Sequence, residues 1–169
     1  MKKTIETMKR LMLSGLLIAA MAACSSPTNK EKENIAIVER YIEAVENLDY
    51  QTMSSLLSEE YMGFGPSYGD SITREAALEN WKYEADNIYD KIEYRKSTNV
   101  AMKVSSGRGK GDWVANWAEL YIRDKSGREV TIWANNVYKI DEGKISRSLS
   151  FYNEMDALRQ MGFSVTSNY

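Results

Sequence analysis

The spacing of apolar residues changes along the chain at about residue 90. Between Asn34 and Leu48, apolar side chains recur every three or four residues, which is the period of a helix with one buried face. Asp49 and Thr73 each precede another stretch with helical spacing, and both residue types commonly cap helices. The first half of the chain therefore predicts three helices, of which the second is short.

Beyond that point apolar and polar residues alternate, which predicts four strands. Their expected ranges are 91–105, 112–123, 129–140 and 144–152. The segments SGRGKGD, DKSG and DEGK separate them, and each contains the glycine that a hairpin turn favours. A shorter strand that runs into a loop is expected at YMGFGPSYGD. Helices followed by a meander predict an α+β domain, with three N-terminal helices packed on a curved, mostly antiparallel sheet.

The loop between the second and third of these strands sets their register. A three-residue loop at 125–127 places Asp124 opposite Arg128. Asn116 then lies opposite Asn136, on the more apolar face of the sheet, which is expected to lie under the helices. Isolated amides on an apolar face need hydrogen-bond partners, and these are either each other or a ligand.

The opposite face of the sheet carries several large aromatic side chains. They include Trp113, Trp117, Tyr121 and Trp133. Because monomers rarely expose apolar patches of more than a few hundred Å², this face predicts a symmetric homodimer. The alternative is a sheet that curls, so that its far end and the C-terminal tail cover the same aromatics.

The amino terminus has the pattern of a signal peptide. Four basic residues and one acid fall within the first ten residues, and thirteen apolar or small residues follow. That stretch is too short to span a bilayer as a helix. The next segment, MAAC, resembles the lipobox of bacterial lipoproteins, and this resemblance makes Cys24 the expected lipidation site. The alternative is an ordinary secreted protein with a chance cysteine near its cleavage site.

The lipobox divides the chain into four predicted segments. Residues 1–23 are the signal peptide, 24–33 the lipidated cysteine and a polar tether, 34–163 the folded domain, and 164–169 a C-terminal tail. The residue after the cysteine is not aspartate, which resembles the pattern of lipoproteins sorted to the outer membrane. We therefore expect a protein of the bacterial cell envelope, anchored to the outer membrane through lipid on Cys24.

Composition argues against several classes of function. The 22 basic residues against 24 acidic ones leave no large basic surface for nucleic acid. The chain has no histidine and one cysteine, so neither a zinc site nor an iron–sulfur site is expected. We expect no metal and no cofactor.

Five short segments resemble landmarks of the NTF2-like superfamily, in particular of its SnoaL-like and ketosteroid isomerase-like branches. In chain order they are RYIEAVENLD, FGP, ITREAALENW, GKI and LRQMG. The resemblance covers roughly residues 34–163. It implies a cone in which a pocket for a small, mostly apolar molecule lies between the helices and the sheet.

The same resemblance assigns expected roles to four positions. Tyr41 falls where ketosteroid isomerases keep a tyrosine that hydrogen-bonds an oxyanion, and Asn136 falls where they keep a protonated aspartic acid. Their catalytic base falls at Gly65, and the acid–base aspartate of SnoaL-like cyclases falls at Asn153. Neither glycine nor a neutral amide exchanges a proton near neutral pH, so the resemblance implies a pocket whose usual acids are missing.

These observations give six pocket candidates and three hypotheses for function. The candidates are Tyr41, Phe64, Trp81, Asn116, Asn136 and Asn153. The first hypothesis is a lipid-anchored domain without catalysis, which binds a small, mostly apolar molecule or a partner protein. The second is an isomerase, cyclase or dehydratase that uses Tyr41 with a carboxylate such as Glu119 or Asp156. The third is a structural assembly protein of the envelope, with a cone filled by its own side chains.

Overall fold

The structure, a computed structural model, describes residues 27–164. The predicted signal peptide, the predicted lipidation site Cys24 and residues 165–169 of the predicted tail lie outside the described residues. No helix between residues 27 and 164 has both the length and the apolar character needed to cross a membrane.

Four helices form within this part of the chain, three of them before the main run of strands. They are α1 (Asn29–Glu46), α2 (Tyr50–Leu56), α3 (Arg74–Asn87) and α4 (Glu154–Gln160). Both predicted caps are confirmed. The Asp49 side chain accepts a hydrogen bond from the Thr52 amide at 3.0 Å, and the Thr73 hydroxyl accepts one from the Ala76 amide at 3.4 Å.

Helix α1 begins earlier than the apolar spacing predicts. Thr28 and Glu31 form a capping box: the Glu31 carboxylate accepts from the Thr28 amide at 2.6 Å, and the Thr28 hydroxyl accepts from the Glu31 amide at 3.2 Å. The helix therefore starts at Asn29, inside the segment 24–33 that was expected to be a tether. This first turn is polar, so it carries no apolar period that would reveal it.

Six strands form one sheet in the described chain. They are β1 (Leu57–Phe64), β2 (Ser71–Thr73), β3 (Tyr89–Val104), β4 (Gly111–Asp124), β5 (Glu129–Asp141) and β6 (Lys144–Tyr152). Their order is β2-β1-β6-β5-β4-β3, in which β1 runs parallel to β6 and the other neighbours are antiparallel. The four strands predicted after residue 90 are confirmed, with ends that differ by two residues or fewer.

The predicted register of β4 and β5 is also confirmed. Asn116 lies opposite Asn136, and the Asp124 amide donates to the Arg128 carbonyl at 3.0 Å to close the hairpin. The Asp124 carboxylate accepts further hydrogen bonds from Ser126 and Arg128, which lower its pKa to about 2. The turn is therefore held by its own side chains as well as by its backbone.

The core lies between the inner face of the sheet and the helices. Its largest fully buried apolar side chains are Val38, Val45, Met53, Val114 and Ile145. The pairing of β3 with β4 shifts between Arg95 and Thr98, and such a bulge bends a sheet. Helices thus cover one face of a curved, mostly antiparallel sheet, and the predicted α+β class is confirmed.

Candidate functional site

A cavity of about 480 Å³ lies between the helices and the inner face of the sheet. Helices α1, α3 and α4 contribute to its wall together with the strands. Much of the wall is aliphatic, with side chains that include Leu120, Ile122, Val130 and Ile132. The cone is therefore not filled by its own side chains, and that part of the structural assembly hypothesis is wrong.

Buried tyrosines form one part of this wall. Tyr41 on α1 is 6% exposed, and Tyr138 on β5 is 4% exposed. Their rings meet edge to face, with centroids 5.7 Å apart. Burial raises the pKa of both phenols well above 10, so both hydroxyls are protonated at neutral pH.

The tyrosine hydroxyls of the cavity differ in their hydrogen bonding. Tyr61 shares a hydrogen bond of 2.6 Å with the Ser148 hydroxyl. Gly63 leaves room for this arrangement, because a Cβ at that position would lie 2.7 Å from the Tyr61 hydroxyl. In contrast, the hydroxyls of Tyr94 and Tyr138 form no hydrogen bond within residues 27–164. These two hydroxyls are therefore free to bind a ligand.

Two carboxylates line the same cavity, Glu84 from α3 and Glu154 from α4. Burial raises the pKa of Glu84. Burial and the nearby Glu84 charge raise the pKa of Tyr89 to about 12. Burial also raises the pKa of Tyr152, with further contributions from the charges of Glu154, Glu84 and Asp70. This side of the cavity is therefore both aromatic and acidic.

The expectation of a pocket without an acid is wrong. Glu84 lies three residues after Trp81 on α3, so both side chains project from one face of the helix into the cavity. That spacing is the signal in the sequence that identifies Glu84. Gly65 also lines the cavity, and a Cβ there would lie 3.1 Å from the Cβ of Asp70, which occupies the adjacent space.

The carboxylates named in the enzyme hypothesis lie outside the cavity. Glu119 is on the outer face of the sheet, where it pairs with Lys96 at 2.6 Å. Asp156 accepts a hydrogen bond from the Gln160 side chain at 3.0 Å. Neither residue contributes to the wall, so the structure corrects both assignments.

Four of the six predicted pocket residues line the cavity: Tyr41, Phe64, Trp81 and Asn136. The other two, Asn116 and Asn153, do not. The Asn116 amide donates to the Ser97 hydroxyl at 2.8 Å and to the Asn99 side-chain carbonyl at 2.9 Å. Asn153 is the N-cap of α4, where its side chain accepts from a backbone amide at 3.0 Å. Both amides hold local structure together, which corrects their predicted pocket role.

The four aromatics predicted for a dimer interface are not equivalent. Trp113 is 8% exposed, and its indole donates a hydrogen bond of 2.7 Å to the turn between β3 and β4. Tyr121 is 9% exposed and lies under the Arg95 guanidinium, 4.0 Å from the ring centroid. Trp117 and Trp133 remain 41% and 65% exposed. Contacts within the chain thus cover two of the four, which corrects the prediction for Trp113 and Tyr121.

Comparison with known proteins identifies a family. The model of the SnoaL-like domain matches residues 38–148, which is more than half of the chain. Comparison of this sequence with curated proteins gives no significant match.

Solved structures of low sequence identity share the fold. A candidate polyketide cyclase from Xanthomonas campestris pv. campestris has a TM-score of 0.63 at 16% identity, over 77% of this chain and 97% of that chain. An LEH-like epoxide hydrolase from M. tuberculosis has a TM-score of 0.58 at 14% identity, and the match covers 78% of this chain and 90% of that chain. A protein with a ketosteroid isomerase-like fold from Catenulispora acidiphila was solved in complex with trimethylamine. Its TM-score is 0.60 at 16% identity, and the match covers 78% of this chain and 97% of that chain. The chain therefore belongs to the SnoaL-like domain family and has the NTF2-like cone fold.

Proposed function

We propose that this SnoaL-like domain binds a small, mostly apolar molecule in its cavity. The observation that carries the proposal is the cavity itself, because its volume of about 480 Å³ is typical of small-molecule sites. Its wall is mostly apolar and aromatic, which suits an apolar ligand. The neutral phenols and the Asn136 amide supply hydrogen bonds that orient the polar group of such a ligand.

A fluorescent probe tests this proposal on the chain without residues 1–23 and with Cys24→Ser, which carries no lipid and needs no detergent that would itself take up the dye. N-Phenyl-1-naphthylamine, an uncharged dye that brightens in apolar surroundings, is expected to saturate one site per chain. Ser150→Trp places an indole in the cavity wall and is expected to abolish that site. Trp133→Ala removes an exposed aromatic of the outer face and is the control, with binding unchanged. Binding that survives Ser150→Trp, or a wild-type protein without a saturable site, would contradict the proposal.

A second candidate function, proton-transfer catalysis, is favoured by Glu84. A carboxyl group in a cavity whose pKa is raised by burial is a candidate general acid or base. An isomerase, cyclase or dehydratase would combine it with a neutral phenol that hydrogen-bonds the reacting oxygen. NMR of small ketones incubated with the protein in D2O tests this function. Deuterium exchange that Glu84→Gln abolishes would support it, and exchange no faster than in buffer would count against it.

We also propose that lipid on Cys24 holds the domain close to the outer membrane. The lipobox-like segment MAAC supports this anchor. Five residue steps connect Cys24 to Asn29, where α1 begins, so the connection spans at most about 18 Å even when fully extended. The wild-type chain is expected in the membrane fraction with a lipid mass on its N-terminal peptide, and Cys24→Ser is expected to release it. An unlipidated wild-type chain would contradict the anchor.

The outer face of the sheet is, we propose, a homodimer interface. Five large apolar side chains are exposed on that face: Val100, Met102, Trp117, Trp133 and Phe151. Charged residues flank this patch, with Lys139 and Arg147 towards one end of the strands and Glu93 and Arg95 towards the other. An apolar centre with a charged rim is the pattern of protein interfaces, and a twofold axis lets one patch pack against its own copy.

A further inference from the structure

We propose that the ligand of this cavity carries a protonated amine on an apolar body. This inference rests on the binding function proposed above and names the chemical class of the ligand. It concerns the side of the cavity where the Glu84 and Glu154 carboxylates lie near Tyr89 and Tyr152.

The charge of the cavity wall is negative. Within residues 27–164, the charged side chains that line it are Glu84 and Glu154, and no lysine or arginine joins them. The Asp70 carboxylate lies close enough to add to the negative potential at Tyr152. Charges interact more strongly where protein replaces water, so the partly buried Glu84 attracts a cationic ligand and repels an anionic one, and the exposed Glu154 and Asp70 contribute less.

Glu84 lacks a partner that would stabilise its charge. Its side chain forms neither an ion pair nor a hydrogen bond with any residue of the described chain, and burial alone shifts its pKa. Burying a carboxylate costs free energy unless a cation or hydrogen-bond donors compensate. An ammonium group beside Glu84 would supply both the opposite charge and the donors.

Aromatic rings line the cavity on the same side as this carboxylate. The rings of Trp81 and Tyr89 have centroids 6.5 Å apart, and the phenol of Tyr152 is close enough to respond to the Glu84 charge. The faces of aromatic rings attract cations, and cages of such rings are a known means of binding organic ammonium groups. Eight aromatic side chains line the cavity in all, so its wall suits an organic cation with an apolar body.

The more buried side of the cavity, at Tyr41 and Tyr138, accommodates the apolar body. The Tyr138 side chain is 4% exposed, and its hydroxyl has no partner in the described chain. An oxygen on the ligand body would satisfy it. A neutral carbonyl compound would also satisfy this hydroxyl but would leave Glu84 unpaired, which is why the inferred ligand carries a positive charge.

Three probes with one naphthalene body test the charge of the ligand. At neutral pH, 1-naphthylmethylamine is cationic, 1-naphthalenemethanol is neutral and 1-naphthoic acid is anionic. Each is titrated calorimetrically into the mature protein in detergent. The amine is expected to bind about tenfold or more tightly than the alcohol, because ring faces and carboxylates act together on it. The acid is expected not to bind.

Variants assign this preference to residues. Glu84→Gln is expected to lower the affinity for the amine to that for the alcohol, while the affinity for the alcohol stays the same. Glu154→Gln is expected to reduce the preference in part. Glu119→Gln removes a carboxylate paired with Lys96 on the outer face and is the matched control, with the preference unchanged. Thermal melting of each variant shows that it is folded.

The outcomes separate this inference from the proposed binding function. Equal affinities of amine and alcohol, or tighter binding of the acid, would overturn the amine ligand and leave the binding function intact. A preference for the amine that persists in Glu84→Gln would overturn the role of this carboxylate. Failure of all three probes to bind would count against the binding function itself.

Discussion

In this cavity, one tyrosine hydroxyl stabilises the fold and another is available for a ligand. Tyr61 and Tyr138 are both buried, but only the Tyr61 hydroxyl has a partner in the described chain, the Ser148 hydroxyl at 2.6 Å. A buried hydroxyl without a protein partner does not stabilise the folded state, and it gains a hydrogen bond when a ligand arrives. The two tyrosines therefore differ in what their hydroxyls contribute.

Replacing Tyr138 is expected to affect ligand binding, whereas replacing Tyr61 is expected to affect stability. Tyr138→Phe is expected not to lower the free energy of unfolding, because the lost hydroxyl has no partner in the described chain, and to weaken ligand binding severalfold. Tyr61→Phe leaves Ser148 unpaired and is expected to cost about 1 kcal/mol. Urea unfolding and titration with 1-naphthylmethylamine measure the two quantities. Unchanged affinity in Tyr138→Phe would contradict its place in the binding site.

Among the elements, α4 closes one side of the cavity while making few contacts with the sheet. The Gln160 side chain donates to the Thr131 carbonyl and accepts from the Thr131 amide, both at 2.9 Å. Thr131 lies on β5 beyond the last residue that pairs with β6, so the glutamine amide takes the place of a neighbouring strand. Asn153 caps the other end of the helix. These contacts hold the wall residues of α4 in position.

Loss of the Gln160 contact is therefore expected to free α4 while the rest of the domain stays folded. Gln160→Ala is expected to speed amide hydrogen exchange in residues 154–160, to leave exchange in α1 unchanged, and to weaken ligand binding. Arg159→Ala, at the neighbouring exposed position, is the control and is expected to change neither. Exchange in α4 that stays at the wild-type rate in Gln160→Ala would show that other contacts position the helix.

The hairpin between β4 and β5 is expected to lose stability in acid. Hydrogen bonds hold the pKa of Asp124 at about 2 in the folded chain, below the value of about 3.9 for an unfolded chain. Its contribution is therefore present above pH 4 or so and is lost as the pH falls through about 2. The melting temperature of wild type is expected to approach that of Asp124→Asn over this range. A difference in melting temperature between wild type and Asp124→Asn that stays constant down to about pH 2 would contradict this. Glu142→Gln in the next turn is the control and is expected to show no such convergence with wild type.

For the whole molecule, the outer face predicts association. At tens of micromolar the lipid-free protein is expected to have the mass of a dimer by light scattering, because association would cover Trp117 and Trp133. The double variant Trp117→Glu with Trp133→Glu is expected to be a monomer. Tyr68→Glu changes an exposed residue outside this face and is expected to remain a dimer. A monomeric wild-type protein at these concentrations would refute the interface.

Local and distant contacts explain what the sequence predicted and what it did not. The register that places Asn116 opposite Asn136 follows from one short loop, so neighbouring residues determine it. The position of Glu84 depends on how α3 packs across the curved sheet. Contacts between residues far apart in the chain determine that packing. The burial of Trp113 and Tyr121 likewise depends on the β3–β4 turn and on a β3 side chain that covers the neighbouring strand. Alternation assigns such residues to a face but does not say what covers them.

Native mass spectrometry of the mature protein, purified in mild detergent from its source cells, tests most directly whether the cavity holds a small molecule. The native wild-type mass is predicted to exceed the mass of the same chain after denaturation by one small organic molecule per chain, and this excess is predicted to be absent in Ser150→Trp. A native wild-type mass equal to that of the denatured chain, both as purified and after incubation with the small-molecule extract of the same cells, would contradict the account.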